Sequence, residues 1–155
     1  MLSTTPDWIE AEARRVPADA WDVKIHDAEG GWNRHQMLAH IATIDKRHGI
    51  RVRLGAGLPV EGASDQAQLP NINDWNQQQV DERAGSSVDD LLAEYRRNRA
   101  DFIALVRSLT PEQRAKVTIR RSATDATSFD DWLPHVHEHA VFHMREVTGE
   151  PVAQG

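Results

Sequence analysis

The sequence predicts an all-α fold: a four-helix bundle with a long connecting loop and short accessory helices. Three observations carry that expectation. Apolar residues recur at three- and four-residue intervals through several long segments. Hydroxyl or amide residues stand before those segments, with an acidic or amide residue three positions later. At 155 residues, 39% hydrophobic and 27% charged, the chain has the size and balance of one globular domain around one core. No internal repeat, low-complexity tract or composition break divides it, so a single domain is expected over residues 1–155.

Thr5-Pro6 opens the first helix, since a hydroxyl can cap a free N–H and proline loses nothing in the first turn. Pro17 ends it near Val16, and Glu29-Gly30-Gly31 punctuates the chain. Asn33 caps the next helix, with Gln36 placed for the reciprocal bond. Met37, Leu38, Ile41, Ile44 and His48 mark one buried stripe, and the helix reaches Arg51 or Leu54 before Gly55 and Gly57. Gly55 to Pro70 has no sustained period and reads as a surface loop. A short helix is expected from Trp75 to Arg83. Ser87 with Asp90 starts a third long helix, marked by Val88, Leu91, Leu92, Tyr95, Phe102, Leu105, Val106 and Leu109. Thr110-Pro111-Glu112 opens a further turn. Val117 to Thr127 suits either a brief extended segment or a loop. Ser128 with Asp131 begins the last helix, whose inner face holds Phe129, Trp132, Leu133, Val136, Ala140, His143 and Val147. Gly149 and Pro151 end it, and Glu150 to Gly155 reads as a flexible tail.

Net charge −6, from 24 acidic and 18 basic residues, argues against extensive nucleic-acid contact. Arg96, Arg97 and Arg99 read as a solvated helix face. No apolar run approaches the roughly 18 residues of a membrane span. Met1 to Trp8 lacks the basic start and apolar stretch of a signal peptide, so the cytoplasm is the expected location. The absence of cysteine removes disulfides, thiolate nucleophiles and Cys-ligated zinc from consideration.

Chemistry therefore falls to other groups, and eight histidines stand out. Around the last helix, His143 lies about 20°, His139 about 60° and His135 about 100° from Val136, at the edge of the core face. His137 points elsewhere. Residues four apart stack on one helix face, so His139 and His143 can offer two imidazoles to one ion, as can His135 and His139. All three cannot easily share one ion, because positions 135 and 143 stand about 12 Å apart along the axis. A third ligand must come from elsewhere, with His40 on the flank of the second helix and His48 more central on its stripe. Glu138 points about 100° away from its neighbour His139 and could orient a nearby imidazole. His137-Glu138 lacks the second histidine of an HExxH motif, while His135-x-x-Glu138-His139 is the string of the inverted motif in a histidine-rich tract.

Gly31-Trp32 opening a helix with Leu38-Ala39-His40-Ile41, followed about a hundred residues later by His139-x-x-x-His143, resembles the DinB/YfiT-like superfamily. The resemblance runs from about Gly31 to Val147. It implies a four-helix bundle holding one divalent metal, zinc or nickel, through His40, His139 and His143. It also implies kinship with transferases and isomerases that use mycothiol or bacillithiol. An external thiol at the metal's open position would be activated for S-transfer to a small-molecule substrate. Alternatives are hydrolysis by water at that position, or a non-catalytic bundle that binds a small ligand or metal. Two departures stand out: the first helix is short, and Met144-Arg145-Glu146 replaces the family's basic-glycine-glutamine run.

Trp32, Trp75 and Trp132 are candidates to line a pocket. Asp45, inward on the second helix, needs a partner, either a histidine or an arginine such as Arg99. Arg145 suits an anionic substrate or a surface salt bridge. A homodimer would cover the apolar side that a short first helix leaves open.

Overall fold

The computed structural model describes residues 1–25, 31–120 and 126–150. The punctuation expected at Glu29-Gly30, residues 121–125, and the tail from Pro151 lie outside the described residues. Helix α1 spans Thr5–Arg15 with Thr4 at the cap and no side-chain cap bond. The Thr5 hydroxyl instead donates to the Met1 carbonyl at 2.9 Å and meets His137 Nδ1 at 2.8 Å. The expected hydroxyl cap is thus not formed, because a partner distant in sequence takes the group.

Helix α2 (Arg34–Gly55) starts as its sequence dictates: Asn33 and Gln36 exchange side-chain bonds with each other's backbone N–H at 2.8 and 2.9 Å. Helix α3 (Ile72–Asp81) begins earlier than expected, because Asn71 provides the cap by accepting from Asn73 N–H. Helix α4 (Val88–Ser108) and the short α5 (Pro111–Lys116) each open with a full reciprocal box, Ser87 with Asp90 and Thr110 with Gln113. Short 3₁₀ turns occupy Ala18–Ala20 and Gln66–Gln68.

The ambiguous stretch after α5 resolves as extended. Strands β1 (Thr118–Arg120) and β2 (Ala126–Ser128) pair antiparallel, with Ile119 opposite Thr127. Ile119 is fully buried and anchors the hairpin to the core. Gly55 allows this docking, since a Cβ there would stand 3.2 Å from the Val117 backbone. Helix α6 (Phe129–Thr148) is capped by Ser128 and ends at Gly149, whose φ of 77° is left-handed. It carries Pro134 in its interior, which removes one backbone donor from the helix ladder.

Helices α1 and α2 each pack against both α4 and α6, and α3 lies on α2. The outcome is the expected all-α bundle, with a small hairpin added. Among the described residues no helix is long and apolar enough to cross a membrane. Because α2 is enclosed by α3, α4 and α6, every residue from Met37 to Asp45 is buried. His40, expected on a flank, is 1% exposed. The single-stripe expectation for α2 fails because α3 covers its outer face.

Two apolar clusters make up the core. Ile9, Leu38, Ile41, Leu91, Tyr95, Ala140 and Met144 belong to one, and Val52, Phe102, Ile119, Phe129, Trp132 and Val136 to the other. Between them every long helix changes character. Helix α2 contributes Asp45 and His48, α4 contributes Arg99, and α6 contributes His139. This polar layer is bordered by His40 and His143.

Candidate metal centre

Buried charges must be paired, and the layer's ion pair obeys that rule. Arg99 Nε donates to Asp45 Oδ2 at 2.6 Å, with both side chains at most 1% exposed. Desolvating two such ions costs several kcal/mol each and is offset only when further hydrogen bonds complete the geometry. Asp45 Oδ1 also meets His48 Nδ1 at 3.3 Å, and Arg99 Nη2 donates to the Val136 carbonyl at 3.3 Å. Both partners considered for Asp45 are therefore used at once.

His40, His139 and His143 come together from α2 and α6. One ligand nitrogen from each lies within 4.8 Å of the others. His139 Nε2 and His143 Nε2 stand 3.2 Å apart. Neighbouring nitrogens around a tetrahedral ion bound at about 2.05 Å are about 3.3 Å apart, so this pair already has a ligating spacing. Both ring nitrogens of His40 and Nδ1 of His139 are buried without a hydrogen-bond partner. An unpaired buried polar atom costs about 1–3 kcal/mol, and a metal ion is the partner that would satisfy a lone pair aimed at two other imidazoles. The residues present fit such an ion.

Burial, reinforced by the neighbouring His143 and His48, pushes His40 down to about 3. Burial, with His143 and His40 beside it, also holds His139 well below the usual imidazole range. These rings stay neutral near pH 7, as ligation requires. His143 donates from Nδ1 to Glu146 Oε2 at 2.6 Å, which leaves Nε2 as the acceptor facing the cluster. Glu146 was not singled out in sequence reasoning as a partner of the trio. It sits three residues from His143, a spacing that puts both on one helix face.

Other candidates divide. His48 is buried beside His139, ring centroids 6.0 Å apart, but turns Nδ1 to Asp45 and stays outside the three-nitrogen group. His135 lies on the outer side, 5.6 Å from His139. His137 faces α1 through Thr5. Glu138 is exposed, and the carboxylate that meets a ring of the trio is that of Glu146. Trp32 packs against His40 at 5.3 Å and closes one side of the site. Trp132 belongs to the second apolar cluster and meets His48, at 5.2 Å, rather than the trio. Trp75 covers Arg47. Arg145 is exposed.

A cavity of about 370 Å³ lies away from the histidine trio. Leu2, Ile103, Val106, Leu133 and His137 help to line it, beside the residues that precede α1. His137 and His139 are about 160° apart around α6, so this groove and the metal centre use different faces.

No curated protein and no solved structure matches the chain. The family model described as DinB superfamily matches residues 1–147, nearly the whole sequence. Its extent agrees with the bundle and with a histidine trio drawn from the second and last long helices, and the chain belongs to the DinB superfamily.

Proposed function

We propose that the protein is a divalent-metal enzyme, with zinc or nickel held by His40, His139 and His143, that activates a low-molecular-weight thiol such as mycothiol or bacillithiol for S-transfer to a small electrophile. The observation that carries the metal reading is His40: 1% exposed, both ring nitrogens unpartnered, and facing two more imidazoles. A divalent ion bound there supplies a Lewis-acid position at which a thiol loses its proton more readily. The chain's own part is to hold the rings. Burial keeps His40 and His139 neutral, Glu146 fixes the tautomer of His143, and Trp32 shields His40. Three neutral ligands leave the ion's charge uncancelled, which favours an anionic thiolate over a neutral co-substrate. The chain has no cysteine of its own, so the thiol is external.

Metal content measured on protein purified without nickel affinity tests this. Wild type is expected to hold about one ion per chain, while His40→Ala and His139→Ala lose it. Stoichiometric metal in both variants would sink the three-histidine site. With cobalt installed, adding mycothiol, bacillithiol or glutathione should shift the visible spectrum. Silence with every thiol, on a loaded protein, turns the reading to hydrolysis by water.

A further inference from the structure

Two buried arginines, Arg99 and Arg47, can be compared with the partly buried Arg83. Arg99 is paired with Asp45 and Arg83 with Glu94. Arg47, 7% exposed, has no carboxylate within ion-pair distance among the described residues. Its Nη2 donates to the Pro70 carbonyl at 2.6 Å, its Cζ lies 5.7 Å from the Trp75 ring centroid, and its Nε is buried with no partner. A loop clamp accounts for the bond to Pro70. It does not account for a buried Nε with no partner on a guanidinium that has no carboxylate beside it among the described residues.

The position of Arg47 gives that vacancy a direction. Seven residues separate it from His40, so both lie within about 20° on one face of α2, about 10.5 Å apart along the axis. Helix α3 runs antiparallel across this face. Gln77 Oε1 accepts from Trp32 Nε1–H at 2.9 Å beside His40, while Trp75 covers Arg47. Between these two residues of α3 is Asn76, 4% exposed, whose Oδ1 is also buried without a donor. Helix α2 thus carries both His40, with its open imidazole nitrogens, and Arg47, whose neighbour on α3 is followed in sequence by the unfilled amide acceptor of Asn76.

We propose that Arg47 and Asn76 form the anchoring subsite for the co-substrate, a thiol that also carries a carboxylate and an amide: the carboxylate binds Arg47, the amide N–H donates to Asn76, and the sulfur reaches the histidine trio. The assignment of the sulfur rests on the metal-thiol reading above; the anchoring does not. Pro70 and Trp75 cover the subsite, so binding exchanges the neutral Pro70 carbonyl at Nη2 for a carboxylate, a stronger charge-assisted partner. The first turn of α3 must shift to admit it.

Calorimetry with S-methylglutathione, whose sulfur is blocked, against metal-free protein isolates this step. Wild type is expected to bind the diacid and to bind its dimethyl ester about thirtyfold more weakly. Arg47→Gln should lose a similar factor for the diacid. Arg47→Lys, which keeps the charge without the planar fork, should fall between the two. Because this affinity is read on metal-free protein and metal retention is read separately, failure of the metal reading and failure of this one are separately visible. Equal affinity for diacid and ester, no binding of either, or undiminished binding by Arg47→Gln overturns the proposal. The ester comparison uses wild type alone and holds even if the Arg47 variants fold poorly.

Discussion

Glu146 and Glu138 differ by eight positions on one helix and by everything in their surroundings. Glu146 receives the Nδ1 proton of His143 at 2.6 Å, whereas Glu138 is exposed. A carboxylate behind a ligating imidazole fixes its ring and raises its basicity, and losing one typically costs 10–100-fold in metal affinity. Glu146→Gln is therefore expected to weaken metal binding by about tenfold or more, measured by chelator competition, with helicity preserved. Unchanged affinity would make the Glu146 contact incidental. The spacing of His139 and His143 was readable, because a four-residue step is a property of any helix. The choice between His40 and His48 was not readable from helix geometry, since it depends on where α2 meets α6. Family resemblance favoured His40, and the tertiary structure puts His40 in the trio while Asp45 engages His48.

Local chemistry makes the start of each long helix except α1 legible. Asn33 with Gln36, Ser87 with Asp90, and Ser128 with Asp131 all place the cap where the sequence does. Asn33→Ala should cost about 1 kcal/mol of unfolding free energy, within the 0.5–2 kcal/mol range of such caps. Urea denaturation would show it as a lower midpoint at unchanged slope. A loss below about 0.3 kcal/mol would mean that burial of α2, rather than its cap, fixes the start. Thr5 and the hairpin show the opposite limit. Thr5 abandons its local cap for His137 across the bundle, and β1 has only three residues whose partner strand lies several positions away. Neither outcome follows from the segment alone, because the deciding partner is non-local.

At the scale of the molecule, the polar layer links stability to pH. His40, His139 and His48 all have native values depressed by burial. In metal-free protein the unfolded chain therefore binds more protons than the native one below about pH 6.5, and stability rises with pH across that window. The contribution is complete above about pH 6.5 and is lost as pH falls toward about 3, where His40 titrates in the native state. Urea midpoints between about pH 7 and about pH 4 should drop steadily. A flat profile would show that these rings are protonated, or exposed, in the native protein.

By itself the sequence determined the class of fold, the caps of α2, α4 and α6, and the pairing of His139 with His143, because periodicity and capping act over three or four residues. Tertiary packing decided the rest. It buried Met37 to Asp45 of α2 on all sides, brought His40 across to α6, gave Asp45 both its partners, and left Arg47 without a carboxylate partner among the described residues. Those outcomes depend on which surfaces exclude water together, and residues far apart in the chain share that exclusion only once the helices have met.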